Sequence, residues 1–580
     1  MLFPRAIQPG IAAPFTVRLR GVTIPRAALA VVGIAALAAI PHAINMWSYP
    51  AFSIADDEGI YASQAIAWLH SGGLSPYSYS YDHAPGGWIQ LGIFYALTGG
   101  PGAFGTPIDG GRVFMLVLHV GSALLLYRLV RLLGGSKPAA VLAVVVMSLS
   151  PLAAFYQRMV LLDNIMVFWL LLALVLAIDA RSRGWLALSG IAFGIAMLSK
   201  EFAALLAPIM IALGWRRDGW RGVVTLAGAA ALAVLPYPAY ALSRGELLPV
   251  ADPYLPYVVA NDAAARPSLM STLIWQLTRP GGGTFSLTNN FVWYLRNDWL
   301  WRDPTLLVLG VAAICWNGLR RRRGVALAAI IGLIPCLYLA RGGITFGFYI
   351  VFALPFLALN LALALDPVFS RFSFAPRLRL AGSLLVLLLG TYWWSGTLQP
   401  LYTEHPDAPA RAAAAWIKTY IPATATIVGR DDLLAYLREP IDGPAFLGFQ
   451  VHWEVVNDPA VAADLGYDWS RIDYLIVDPH ELADFAGTGN TLAVAALDHA
   501  HKLAEWTFVN PDAAPLHWDQ HIEIWEADRL ADPNLAAFRT GLLHGRDQLC
   551  LPHVASCDEA GDRARELYGD TAATPAAIER

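Results

Sequence analysis

The chain has 580 residues, 57% of them hydrophobic and only 14% charged, with a mean hydropathy of +0.49 and a formal net charge of -4. So few charges could not keep the surface of a soluble chain this long hydrated, so the composition excludes an ordinary soluble enzyme and indicates a polytopic α-helical membrane protein. Residues 1–400 carry 28 Lys/Arg against 15 Asp/Glu, whereas residues 401–580 carry 12 against 29; the acidic tail excludes nucleic acid as its partner, because phosphate binding needs a positive surface.

In chain order, residues 1–26 read as a basic N-terminal segment with Arg5, Arg18, Arg20 and Arg26. The first apolar run, 27–47, reads as an uncleaved span, since Ile40-Pro41-His42 lacks the small-residue pattern of a cleavage site. Further spans are expected at 112–133, 139–156, 162–179, 185–199, 202–215, 222–242, 304–319, 324–340, 343–365 and 380–398, about eleven in all. With the N-terminus inside, the inner loops hold 19 of the 28 basic residues before residue 401, among them Arg128, Lys137, Arg216, the run Arg320 to Arg323, and Arg371. An odd number of spans places the tail, 400–580, outside. The membrane portion is then 27–399, with long outer loops at 48–111 and 243–303. Asn289 to Trp301, where aromatics mix with Arg296 and Asp298, reads as an interfacial amphipathic helix.

The tail reads as an α/β domain. Ala410 to Tyr420 is helix-like, while Thr426-Ile427-Val428, Tyr474 to Val477 and Ile522 to Trp525 are strand-like. Cys315 and Cys336 fall in spans, and Cys550 and Cys557 could close a small disulfide loop in an oxidising compartment.

Charged groups at a membrane boundary cost free energy unless they meet water or a partner, so the acids there are functional candidates. Asp56, Asp57 and Glu58 follow the first span. One or two of them could cap or charge-complement a helix through Tyr61 to Leu69, but three successive acids cannot all be caps. An acid here can take a proton from an attacking hydroxyl or amine. Asp163 opens the fourth span on the same side, either as a helix-start carboxylate or as a second acid that orients the nucleophile. The outer basic residues are few. Arg158, Lys200 and Arg341 are among those able to hold an anionic lipid headgroup and offset charge on a phosphate leaving group, although Lys200 could also simply pair with Glu201. His83, between Asp82 and Ala84-Pro85, is a candidate substrate contact. No paired His/Cys or HExxH-like spacing supports a metal centre, while the carboxylates near His83 leave Mg²⁺ or Mn²⁺ open. Asp431-Asp432 and Asp478-Pro479-His480 invite a nucleotide-sugar reading, which an outer location disfavours because such donors are cytoplasmic.

These motifs together resemble a known family. Asp57-Glu58-x-x-Tyr61-Ala62, then His83-x-Pro85, Arg158-x-x-Leu161-Leu162-Asp163 and the Ser199-Lys200 turn are similar to motifs of the GT-C-fold glycosyltransferases. Within these, the protein O-mannosyltransferases and the lipid A aminoarabinose transferases are the nearest in pattern. The resemblance spans the membrane region loosely and implies a GT-C-like fold with an extracytoplasmic α/β domain, in a multi-pass protein of a prokaryotic plasma membrane. It implies transfer of a monosaccharide from a polyprenyl-phosphate donor to a lipid, glycan or protein acceptor on the outer face, with inversion and no required cofactor. It matches Asp57 to the catalytic carboxylate, with Asp56 and Glu58 as adjacent alternatives, Asp163 to the second acid, Tyr61 to the following aromatic, and Tyr349 to a Tyr near the carrier phosphate. His83 stands where the aminoarabinose transferases carry Lys in Lys-Pro-Pro, and Ala84 replaces the first Pro. Competing readings are an undecaprenyl-linked glycan polymerase or ligase, and a lipid or sugar transporter. Against transport, no internal repeat is visible and the ionisable residues gather at the boundary rather than mid-membrane.

Overall fold

A computed structural model describes residues 16–19, 22–51, 57–249, 268–278, 286, 289–320, 322–371, 394, 396–441, 443–478, 481–482, 485, 490–508 and 520–527. Asp56, Cys550, Cys557 and nearly all of the expected span 380–398 lie outside these residues. The N-terminal segment forms an antiparallel hairpin, β1 (Thr16–Leu19) with β2 (Val22–Pro25), which the sequence did not announce. It leads into α1 (Arg26–Ala43).

The segment 48–111, expected as the first outer loop, is partly helical. It holds α2 (Asp57–Ser71) and α3 (Gly86–Thr98), the latter seated on the bundle through Trp88 and Tyr95, both 0% exposed. Next come α4 (Pro107–Leu132), α5 (Lys137–Leu149), the short α6 (Pro151–Tyr156), α7 (Leu162–Ile178) and α8 (Arg183–Ser199). Thr106 starts α4 with a capping box to Asp109, and Ser136 and Ser150 cap α5 and α6. After Lys200 a 3-10 turn, Glu201–Leu206, leads into α9 (Ala207–Val234). The expected spans 202–215 and 222–242 meet inside α9 at a reversal, where Gly219 adopts φ +55°. The two arms approach so closely there that a Cβ on Gly222 would lie 2.1 Å from the Gly214 carbonyl oxygen. Helices Pro304–Leu319, Arg323–Leu339 and Leu354–Arg371 complete the described bundle.

Among the described residues, three helical stretches, Pro107–Leu132, Glu201–Ser243 and Gly347–Val368, are long and apolar enough to cross a membrane. Six shorter apolar helices accompany them, each within one of the expected spans or overlapping it by most of its length.

Asn289 to Trp301 is helical, though not as one regular α-helix. It bends through a π-turn at Leu295–Trp299 and turns inward. Asp298, 0% exposed, accepts hydrogen bonds from Tyr156 Oη and Arg302 Nε at 2.5 Å each, and Trp299 Nε1 donates to the Gly347 carbonyl at 2.8 Å. Asp298 faces inward with its partners while Arg296 stays exposed, so one face of this segment packs on the bundle.

The tail is built on a five-stranded sheet of order β4-β3-β5-β7-β6: β3 (Ile427–Gly429), β4 (Phe449–Val451), β5 (Tyr474–Val477), β6 (Ala500–Phe508) and β7 (Gln520–Ala527). β4, β3 and β5 are parallel, while β7 and β6 add antiparallel edges. The helix Ala408–Tyr420 matches its expectation. The tail docks on the segment 48–111. Val451 N–H donates to Tyr77 Oη at 2.9 Å, Ser78 gives its N–H and hydroxyl to Asp458, and Arg411 bridges Asp109 and Asp407. The helix Asp431–Arg438 lies on α2, where a Cβ on Gly59 would sit 2.1 Å from the Asp431 carbonyl oxygen.

Candidate active site

The first turns of α2 and α7 and the turns at 83, 200 and 349 bring six of the predicted site residues together: Asp57, Tyr61, His83, Asp163, Lys200 and Tyr349. Asp57 lies in the first turn of α2, and its Oδ2 accepts a hydrogen bond from Tyr61 Oη, one turn on, at 3.0 Å. Asp163 lies in the first turn of α7 and is 0% exposed, yet makes no capping hydrogen bond; both of its carboxylate oxygens are without a hydrogen-bond partner. Its nearest cation is Lys200 Nζ at 3.5 Å, on a side chain that is itself 0% exposed. Lys200 therefore does not pair with Glu201, as the simplest reading of the sequence had it. Burial works against the Lys200 ammonium, but Asp163, Tyr349, Asp57 and Glu201 outweigh that and hold its pKa above the usual lysine value.

His83 joins the same group. Its Nε2 lies 3.2 Å from Lys200 Nζ, and its Nδ1 lies 3.1 Å from Glu201 Oε2. Glu201 Oε1 also accepts the Ala84 N–H at 2.7 Å, so this carboxylate fixes both the ring and the loop. Asp82 Oδ2 is 3.8 Å from His83 Nε2, and the Tyr61 and His83 rings are 6.3 Å apart. Burial and Lys200 oppose a charge on His83; Asp82 and Glu201 outweigh them and hold its pKa above the ordinary imidazole value. Three aromatic faces, those of Phe202, Phe348 and Tyr349, surround Lys200 Nζ at 5.4–5.5 Å. Tyr349 is thus part of the cluster. Arg341 is one ring removed, stacked 3.8 Å over Tyr338, which in turn is 6.3 Å from Tyr349.

Glu58 and Arg158 stand apart from this convergence. Glu58 is 0% exposed: Arg112 Nε and Nη2 reach it at 3.0 and 2.7 Å, and the Val160 N–H donates at 2.8 Å. Arg112 also donates to the Met46 and Pro50 carbonyls. Both Glu58 oxygens are thereby occupied, so it fastens α2 to α4 and to the turn before α7. Arg158, 2% exposed, donates to the Leu401 and Pro41 carbonyls at 3.0 and 2.7 Å and so ties the end of α1 to the entrance of the tail.

The tail acids of the nucleotide-sugar reading are also occupied. In open α/β sheets ligands bind beyond the strand carboxyl ends where the strand order reverses, here between β3 and β5. Arg430, 2% exposed, fills that place, with Asp432 and Asp478 each within 3.0 Å and Glu481 at 3.7 Å. Among the described residues, one group has metal-ligand character: Glu505, His521 and Glu523 on β6 and β7, with ligand atoms within 4.8 Å. Lys502 pairs with both of its glutamates.

Comparison with known proteins bears on this site. Residues 82–240, which hold His83, Asp163, Lys200 and Glu201, match the family model described as dolichyl-phosphate-mannose-protein mannosyltransferase. The undecaprenyl phosphate-alpha-4-amino-4-deoxy-L-arabinose arabinosyl transferase of Pseudomonas aeruginosa (strain LESB58) is 35% identical over 153 residues, which is 24% of this chain. The match spans only 27% of that relative's length. The structure of ArnT from Cupriavidus metallidurans bound to undecaprenyl phosphate superposes with a TM-score of 0.53 at 14% identity, over 88% of this chain and 99% of that one. The Archaeoglobus fulgidus oligosaccharyltransferase tethered with an acceptor peptide gives 0.51 at 14% identity, over 85% and 73%. In its matched segment and in its fold, the chain is similar to membrane glycosyltransferases of the GT-C fold, the family that its motifs resemble.

Proposed function

We propose that the chain is an integral membrane glycosyltransferase that moves a monosaccharide from a polyprenyl-phosphate donor to an acceptor hydroxyl or amine on the outer face, with inversion. The observation that carries this reading is the pairing of two acids, Asp57 and Asp163, with a buried Lys200 whose ammonium is shared between Asp163 and His83. Asp57, aligned by Tyr61, takes the acceptor's proton as the acceptor attacks the anomeric carbon. The bond from that carbon to the phosphate oxygen breaks, and the polyprenyl phosphate leaves with the electron pair. Lys200 and Tyr349 supply a cation and a hydrogen-bond donor to offset charge on the departing phosphate, His83 seats Lys200 beside it, and Arg341 stands behind them. Asp163 keeps Lys200 charged and in place. Glu58 and Arg158 serve as struts in this scheme, because both Glu58 oxygens and the two terminal Arg158 nitrogens bind other parts of the chain.

The same reading places about eleven spans in a plasma membrane, the N-terminus inside, and the tail outside against the acceptor side of the site. The basic inner loops and the docking of the tail on the first outer loop support it.

Its test is turnover by purified protein with a panel of undecaprenyl-phosphate monosaccharides, read as carrier release. One donor is expected to support release, and Asp57→Asn is expected to remove at least ~99% of it. Full turnover by that variant with a confirmed donor would sink the assignment of the base.

A further inference from the structure

Glu201 belongs to none of the resemblance motifs, and the reaction as drawn gives it no task, yet it is the residue through which His83 and Lys200 are arranged. Lys200 is a buried ammonium with three donors and needs acceptors. Asp163 offers a counter-charge at 3.5 Å without a hydrogen bond, and His83 Nε2 lies nearer, at 3.2 Å. A ring nitrogen meets an ammonium at that distance only through its lone pair, so the ring proton must sit on Nδ1. Nδ1–H in turn needs an acceptor, and Glu201 Oε2 is there at 3.1 Å. The second Glu201 oxygen holds the Ala84 N–H at 2.7 Å, which stops the carboxylate from swinging away.

We propose that Glu201 is a positioning residue: it fixes His83 in the Nδ1–H tautomer, so that Nε2 accepts from Lys200 and holds that ammonium against Asp163. The assignment rests on the reading of Lys200 and Asp163 as reaction-centre groups, although its structural half can be tested without any turnover. The titratable and charged groups facing the ring are Asp82 from its own loop, Lys200 and Glu201 from the turn after α8, Asp163 from α7 and Tyr61 from α2. Protonating Nε2 would turn an acceptor into a second cation beside Lys200, so the Lys200 contact and the imidazolium exclude each other.

Two measurements on the full-length protein in detergent test this. In ¹⁵N-histidine NMR at about pH 8.5, above the usual imidazole range, the His83 resonances are identified by their loss in His83→Gln. They are expected to report a protonated Nδ1 and a bare Nε2 in the wild type, and a mixture of tautomers in Glu201→Gln. An Nε2–H tautomer in the wild type, or an unchanged ring in Glu201→Gln, overturns the proposal. With a donor that supports turnover, Glu201→Gln is expected to lower kcat/KM by about 10- to 100-fold. Its acid limb should also move to lower pH, because the carboxylate that favours the imidazolium is gone. Glu201→Asp should recover part of the loss. His83→Gln combined with Glu201→Gln should be no worse than His83→Gln alone, since Glu201 acts through the ring; additive losses in the double variant overturn the proposal. Absence of turnover with every donor would strike the glycosyltransferase reading and leave the tautomer result standing on its own.

Discussion

Glu58 and Asp57 are adjacent in sequence and differ completely in surroundings. Replacing Glu58 with Gln strips the counter-charge from Arg112, which is 0% exposed, and an unpaired buried charge costs about 3–5 kcal/mol. Glu58→Gln should therefore lower the thermal midpoint in detergent markedly, whereas Asp57→Asn should remove turnover with little change in melting. His83 sets a pH dependence. Its pKa is held above the usual value, so its protonation adds stability that is complete below about pH 6.5 and is lost as the pH rises through the raised value. The melting difference between wild type and His83→Gln should accordingly shrink as the pH is raised through that range; a constant difference would contradict it. At this scale the sequence was informative about acids at a boundary, because position alone makes them costly. It was silent on which acid was committed, since Arg112 is 54 residues from Glu58 and Glu201 is 118 from His83. Such partners become visible only when the helices are packed.

At the scale of elements, hydrophobic runs marked nearly every described bundle helix, because a spanning helix writes its length directly into composition. Mixed segments were harder. Asn289 to Trp301 carries the pattern of a surface helix, but Asp298, Arg302 and Tyr156 satisfy one another inside the protein, which periodicity cannot show. In the tail, β3, β5 and β7 were legible from β-branched runs, while the three-residue β4 and the half-exposed β6 carried too little pattern. The contact between α2 and the helix Asp431–Arg438 was invisible, since it depends on a hydrogen atom in place of a side chain at Gly59. Gly59→Ala should force the two helices apart at a cost of about 1–3 kcal/mol. The expected result is faster release of the tail in limited proteolysis, together with reduced turnover.

For the whole molecule, the division of charge at residue 401 anticipated two regions with different surroundings, and the structure assigns an α/β sheet to the second. The outer location proposed for that sheet makes a direct prediction. In a background lacking the four native cysteines, Tyr467→Cys, at a position 67% exposed, should react with an impermeant maleimide in intact cells. Leu319→Cys, 81% exposed at the end of its helix proposed to lie inside, should react only after permeabilisation. The reverse pattern would invert the topology. What the charge division could not convey is how firmly the regions are joined, because Arg411, Asp458 and Tyr77 reach across more than 300 residues of chain.

The missing methyl at Gly59 has one more consequence. The backbone of the tail rests within a bond's length or so of where that methyl would be, directly beside the residue that takes the acceptor's proton in the proposed reaction. Residue 400 is thus a seam in composition but not in mechanics. A protein trimmed there would keep every motif of the reaction centre and lose the wall against which the helix bearing Asp57 is braced.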